Sequence, residues 1–345
     1  MKIVWRRWGD RAVNGDRRFS FDTVAATLLQ AYCQLLEPAA GSSTPDSQPV
    51  QRQVSSTSRP WVANPVRSLL RGLIYQTTQP YHPENWGNSA LVFAPHPDDE
   101  TLGCGGTIIQ KKRAGADLKL VFMTDGSQSH AQFVAPERLK SIRTQEAISA
   151  AHILGLSLSD LMFLEIRDGT LAQRQPDAVA AVTEILQGQN PQEVFIPYRR
   201  DGIPDHDATY QVVSEALHQL GRAVTVYEYP VWFWNHWPWA GSDGAWIDSE
   251  QNFFQTLLDL RTSLKTSLKA SLRADLALLK TFNCSVQITD VLEQKRLALW
   301  QHQSQMTRLI PHAQWLTLKD VSGGEFLKCF LQPRELFYRY STFSC

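Results

Sequence analysis

The chain predicts a doubly wound α/β fold, a mostly parallel sheet with helices on both faces. Three observations lead there. From Ala90 onward short apolar runs alternate with helical stretches of roughly ten residues or more, the pattern of βαβ units. Proline and glycine punctuate the joints, with Pro176 where a first-turn proline is welcome and Gly155 directly after an expected helix end. The clusters of His and Asp fall immediately after apolar runs, at the strand ends where open α/β sheets bind ligands.

The expected strands are 91–94 (LVFA), 118–123, 161–164, 194–196 and 224–227. The expected helices between them are 105–113, 136–154, 176–186 and 208–220. Ahead of this core, residues 38–60 are rich in Ser, Pro, Gln and Thr and poor in apolar side chains. Such a stretch cannot offset its ordering entropy, so it reads as a linker. It separates an amphipathic helix over 21–36, with Val24, Leu28, Leu29 and Leu36 on one side, from another over 65–75. The expected organisation is an N-terminal appendage (1–87), a main domain (88–310) and a C-terminal extension packing on it (311–345).

Composition narrows the class. With 345 residues, 43% hydrophobic and 20% charged, the chain is an ordinary globular protein. Lys+Arg and Asp+Glu are equal at 34 each, so no net field draws it to nucleic acid or an acidic membrane. The five cysteines are odd in number and form no CxxC pair, which argues against a disulfide framework or a cysteine zinc site. No signal-peptide core follows the basic N-terminus, and no apolar run approaches the length of a membrane span. The cytoplasm is the expected location.

Ala94-Pro95-His96-Pro97-Asp98-Asp99-Glu100 follows the first strand and packs one imidazole and three carboxylates into a turn. Adjacent acids repel unless a cation or a proton relieves them, and a divalent metal does so. Pro204-Asp205-His206-Asp207 follows a later strand. His206 completes a His/Asp/His set with His96 and Asp99, three protein ligands with open positions, as in catalytic zinc sites. Mixed nitrogen and oxygen donors also admit iron, cobalt or manganese. Asp205 and Asp207 are candidates to orient the imidazoles. Gly103, Gly105 and Gly106 open the next helix but match no phosphate-binding loop.

PHPDDETLGCGG closely resembles the opening motif of the PIG-L/LmbE-like deacetylases. The ordered pieces Met123-Thr124-Asp125-Gly126, Arg143-Thr144-Gln145-Glu146, Asp168-Gly169, Pro204-Asp205-His206 and KRLALWQHQSQ (295–305) resemble the same family. The likeness spans roughly residues 88 to 310. It implies a zinc-dependent hydrolysis of N-acetylated amino sugars, with zinc on His96, Asp99 and His206 and a water activated there. It further implies Asp98 as general base, and Arg143 and Asp168 as groups that contact the sugar.

One departure stands out. The family commonly carries an oxyanion-stabilising histidine three residues before the last ligand, where this chain has Ile203. His302, in a late helix that approaches the site in that family, is the candidate replacement donor. Plainer readings remain beside these. Arg143 could pair with Glu146 or Glu137 on a helix surface, His302 could be a packed histidine, and Ser127, Ser129 and His130 could be a polar loop. The aromatic run through Trp232, Phe233, Trp234, Trp237 and Trp239 reads more readily as packing than as a sugar platform. A metal-binding relative without turnover is the surviving rival function. A haloacid-type phosphatase is rejected, because its acids are separated by one residue and Asp98 and Asp99 are adjacent.

Overall fold

A computed structural model describes residues 74–236 and 281–342. The helix over 21–36, the linker, most of the helix over 65–75, Trp237 and Trp239 lie outside the described residues. Among the described residues eight strands form one sheet in the order β1-β7-β8-β6-β5-β2-β3-β4. They are β1 (Gln79–Pro80), β2 (Ala90–Ala94), β3 (Leu118–Thr124), β4 (Leu161–Ile166), β5 (Glu193–Pro197), β6 (Thr225–Tyr229), β7 (Cys284–Gln287) and β8 (Arg334–Ser341). Every pairing is parallel except those of β8, which runs antiparallel to both β6 and β7. The helices include α1 (Asp99–Arg113), α2 (Pro136–Ile153), α3 (Gln175–Gln189), α4 (Pro204–Leu220), α5 (Leu292–Leu299) and α6 (Gln303–Met306). This is the expected doubly wound, Rossmann-like architecture.

Side-chain alternation along the strands divides the core in two. Ala90, Val92 and Ala94 of β2 face α1, α2 and α5, together with Leu102, Ile108, Ala147, Ala150 and Ala298. Leu91 and Phe93 face the other way, against Val179, Val182, Val212 and Ala216 of α3 and α4. Both faces of the central strands are therefore buried, which is why they read as unbroken apolar runs. From β2 the chain builds outward through β3 and β4, then crosses back to β5 on the opposite side of β2. The switch point between β2 and β5 is the crevice where such sheets take ligands.

The C-terminal segment is more than an extension lying on the domain, because β8 sits inside the sheet between β6 and β7. Its role is visible at α1, which kinks at Cys104 (φ −141°, ψ 19°). The kink exposes amide groups that a continuous helix would bond internally. Glu335 of β8 takes them, accepting from Gly106 N–H at 2.7 Å and Thr107 N–H at 2.8 Å. Lys295 of α5 balances the buried charge at 2.7 Å. The late helix differs from expectation too. It breaks into α5 and α6, because His302 (ψ 61°) leaves helical geometry and turns into the core.

The glycines of α1 serve packing between helix and sheet. A Cβ on Gly103 would meet the Tyr229 ring at 2.1 Å, and one on Gly106 would meet Ile288 at 2.5 Å. The Tyr229 hydroxyl donates to Phe93 O at 2.6 Å, so the ring has no room to retreat. Gly103→Ala gains about 1 kcal/mol of helix propensity but incurs overpacking of about 1–3 kcal/mol or more. The clash distance decides the sign. Thermal unfolding should show Gly103→Ala with a lower Tm than wild type, and an unchanged or raised Tm would contradict this packing.

Candidate metal and catalytic site

The site is built on the carboxyl ends of β2 and β5, the two strands flanking the switch point. His96 and Asp98 occupy the turn after β2, and Asp99 opens α1. Asp205 and His206 lie in the first turn of α4, which starts at Pro204, earlier than the sequence suggested. Asp168 comes from the turn after β4. The fold thus brings together six residues drawn from three strand ends.

Asp99 is the centre. Its Oδ2 accepts the His96 backbone N–H at 2.9 Å and lies 3.3 Å from His96 Nδ1 and 3.2 Å from His206 Nε2. Ligand atoms of His96, Asp99 and His206 all fall within 4.8 Å of one another. The outer nitrogens of both imidazoles face other acids. His96 Nε2 is 3.3 Å from both Asp168 Oδ1 and Asp205 Oδ2, and His206 Nδ1 is 2.7 Å from Asp201 Oδ2. A ring that keeps its proton toward the outer acid presents a lone pair to Asp99. Two lone pairs and a carboxylate oxygen then converge on one point, which is repulsive until a cation fills it.

The donor set fits a divalent metal on a further observation. His206 is fully buried, and its Nε2 has no hydrogen-bond partner. Burial penalises the cationic form of both imidazoles, yet the surrounding carboxylates outweigh it. His96 is raised well above the ordinary histidine range and His206 is pushed up to about 9. Burial alone would raise Asp99, but the two imidazoles hold it well below the usual carboxylate range. The pocket of acids calls for positive charge at this point, as protons or as a metal.

Asp98 stands apart from the metal cluster. Its backbone is strained at φ 135° and ψ −25°, a conformation that costs a non-glycine residue on the order of 1–3 kcal/mol. The strain is held by Asp98 N–H donating to Glu100 Oε2 at 3.0 Å and by Leu102 N–H donating to Asp98 O at 2.9 Å. The carboxylate faces Arg143 Nη2 at 3.3 Å. Burial pushes Asp98 up to about 7, with the Arg143 charge opposing and Asp99 adding.

Arg143 is no surface partner of Glu146 or Glu137. Its buried guanidinium donates to Pro97 O at 2.6 Å and Gly126 O at 3.2 Å beside Asp98. Gly126 (φ 62°) is glycine because a Cβ there would meet the guanidinium at 2.6 Å. Glu146 instead accepts from Ser304 N–H and Oγ, both at 2.7 Å, pinning α6 to α2. Asp168, held near 2 mainly by His96 against the opposing effect of burial, accepts Gln128 N–H at 2.9 Å. His302 is fully buried with Nε2 3.3 Å from Glu100 Oε1. Ile203 is half-buried and immediately precedes α4. His130 stacks on Trp315 at 4.2 Å and bonds Leu316 O, joining the loop after β3 to the C-terminal segment.

Sequence reasoning missed Asp201, and with it the carboxylate that faces His206. Asp205 serves His96 instead, and Asp207 accepts Gly202 N–H at 3.4 Å.

Residues 91–217 match the family model described as PIG-L: GlcNAc-PI de-N-acetylase. The chain is 35% identical over 133 residues to a probable N-acetyl-alpha-D-glucosaminyl L-malate deacetylase 2 of Bacillus anthracis, covering 37% of this chain and 58% of that protein. It is 27% identical over 249 residues to a 1D-myo-inositol 2-acetamido-2-deoxy-alpha-D-glucopyranoside deacetylase of Nocardia farcinica, covering 64% of this chain and 81% of that protein. This chain therefore spans 58% to 62% of the length of the Bacillus relatives it matches. In fold it is similar to the N,N'-diacetylchitobiose deacetylase of Pyrococcus horikoshii, with a TM-score of 0.50 at 19% identity over 81% of this chain and 93% of that one. His96, Asp98, Asp99 and His206 all lie within the matched residues, whereas His302 lies outside them. Among the described residues no helix is long and apolar enough to cross a membrane.

A three-residue site tolerates no loss of a ligand. His96→Ala, Asp99→Ala and His206→Ala should each lose most bound metal by elemental analysis after dialysis. Full occupancy in all three would contradict the assignment.

Proposed function

We propose that the chain is a zinc-dependent hydrolase that removes an N-acetyl group from an amino sugar or glycoconjugate, with water as co-substrate and acetate and a free amine as products. The observation that carries this reading is the convergence of His96 Nδ1, His206 Nε2 and Asp99 Oδ2, with a second carboxylate, Asp98, next in the chain and turned toward Arg143. The Bacillus and Nocardia relatives, both named as deacetylases of acetylated glucosamine conjugates, support the same substrate class. Fe2+ suits the same donors as zinc.

His96, Asp99 and His206 would hold the metal. When bound, zinc supplies an electrophile for the amide carbonyl and makes a neighbouring water more acidic. The chain's own groups do the rest. Asp98 Oδ2 is engaged by Arg143, which leaves Oδ1 to take a proton from the attacking water and return it to the departing amine nitrogen. Arg143 fixes the direction of that carboxylate, and the Glu100 bond to the Asp98 amide fixes its backbone. His302 fits behind this pair, where its contact with Glu100 supports Asp98, better than at the oxyanion, since its side chain is fully buried. Asp168, partly exposed at the rim, is the group we assign to a sugar hydroxyl.

Ile203 favours one second reading, a metal-binding relative without turnover, because an apolar side chain donates nothing to a developing oxyanion. An acetate-release screen of N-acetylated sugars and conjugates against the zinc-loaded protein separates the two. Acetate release with any of them supports the hydrolase, and none across the panel supports the binding module. With an active substrate in hand, Asp98→Asn should keep its metal while kcat falls by roughly 10²–10⁴-fold. Near-normal turnover in that variant would place the base elsewhere.

A further inference from the structure

We propose that Asp201 is a positioning residue that sets the ring of His206 and, through the same carboxylate, ties metal binding to the turn after β6. The proposal rests on the metal-site reading above. Asp201 lies in the loop after β5 and is fully buried. Its Oδ1 accepts the N–H groups of Val231 at 3.0 Å and Phe233 at 2.8 Å, and its Oδ2 accepts that of Trp232 at 3.0 Å. Three consecutive amides thus converge on one side chain, as at a capped helix start. The same Oδ2 lies 2.7 Å from His206 Nδ1, with the ring off the line of a hydrogen bond.

The chemistry of this contact has a direction. An oxygen that already accepts an N–H can accept a second, so the contact favours the His206 tautomer with its proton on Nδ1. That tautomer leaves the Nε2 lone pair facing Asp99, where a metal would sit. Conversely, a metal on Nε2 fixes the ring, and the fixed ring holds Oδ2 in place against the three amides. Residues 231–233 lead into the aromatic stretch, in which Trp232 stacks on Phe326 at 4.8 Å and Phe233 packs edge-on to Tyr198 at 5.3 Å. This turn is therefore the part of the wall beside the site whose order depends on the metal.

Asp201→Asn separates this role from plain structural support. Asparagine is isosteric, and its carbonyl can replace Oδ1 and keep the bonds to Val231 and Phe233. Its NH2 then stands where Oδ2 stood, gives up the bond from Trp232 N–H and, opposite His206 Nδ1, favours the proton on Nε2. A buried acid-to-amide change of this kind imposes the wrong histidine tautomer in serine proteases. Zinc affinity of the full-length protein, measured by chelator competition, should fall roughly 10–100-fold in Asp201→Asn. In wild type, saturating zinc should slow hydrogen exchange at residues 231–233 by about tenfold or more, and by more than in β7.

Wild-type zinc affinity in a folded Asp201→Asn would overturn the proposal and reduce Asp201 to a brace for the turn. If the variant does not fold, the wild-type exchange experiment still decides. Unchanged exchange at 231–233 with zinc bound overturns the coupling, and selective slowing supports it. Failure of wild type itself to bind zinc is a different result, and it removes the metal-site reading along with this proposal.

Discussion

Too many carboxylates meet at the ends of β2 and β5 for the crevice to be stable without positive charge. Asp99 receives two imidazoles, each imidazole is backed by further acids, and all of these groups are buried or nearly so. Buried anions are tolerated only when paired or bonded to donors. The fold meets that need first with backbone amides: His96 N–H on Asp99, Gly169 N–H on Asp205, and the amides of 231–233 on Asp201. What remains is one point among Asp99, His96 and His206 where positive charge, as protons or as a metal, satisfies every group. The placement of that point at the switch between β2 and β5 follows from the order of the strands.

The same crowding explains why Asp98 is built differently from its neighbour. Asp99 enters α1 and faces the imidazoles, while Asp98 is turned by its strained φ toward Arg143. Adjacent residues thereby face different partners, one a ligand set and the other a guanidinium. Strain at this one residue is what divides the two acids. It is held by Glu100 from within the motif, and His302 stands 3.3 Å from the same Glu100 carboxylate.

The order of strands and helices was legible because burial on both faces of the central strands writes continuous apolar runs, and because Pro204 and the HPDD turn mark where chain leaves sheet. The cluster of His96, Asp98, Asp99 and His206 was legible for a related reason, since its members are short-range neighbours or follow strand ends. Asp201 was not. It sits five residues before His206 in a loop rich in charge, and its partners Val231, Trp232 and Phe233 are contributed by another strand end. No local pattern links them. Glu335 escaped notice likewise, because the amides it accepts are freed by a kink at Cys104 that helix propensity does not announce. The break at His302 is likewise unannounced, since the sequence reads as one helix while the buried imidazole lies 3.3 Å from Glu100, distant in the chain.

The claim on which the account rests is that the point between Asp99 and the two imidazoles is a metal position. A zinc-edge anomalous difference map from zinc-saturated crystals tests it most directly. The account predicts a peak at bonding distance, about 2.0–2.2 Å, from His96 Nδ1, His206 Nε2 and an Asp99 oxygen. A peak only on the outer side of His96, between Asp168 and Asp205, or no peak at either position, would contradict it.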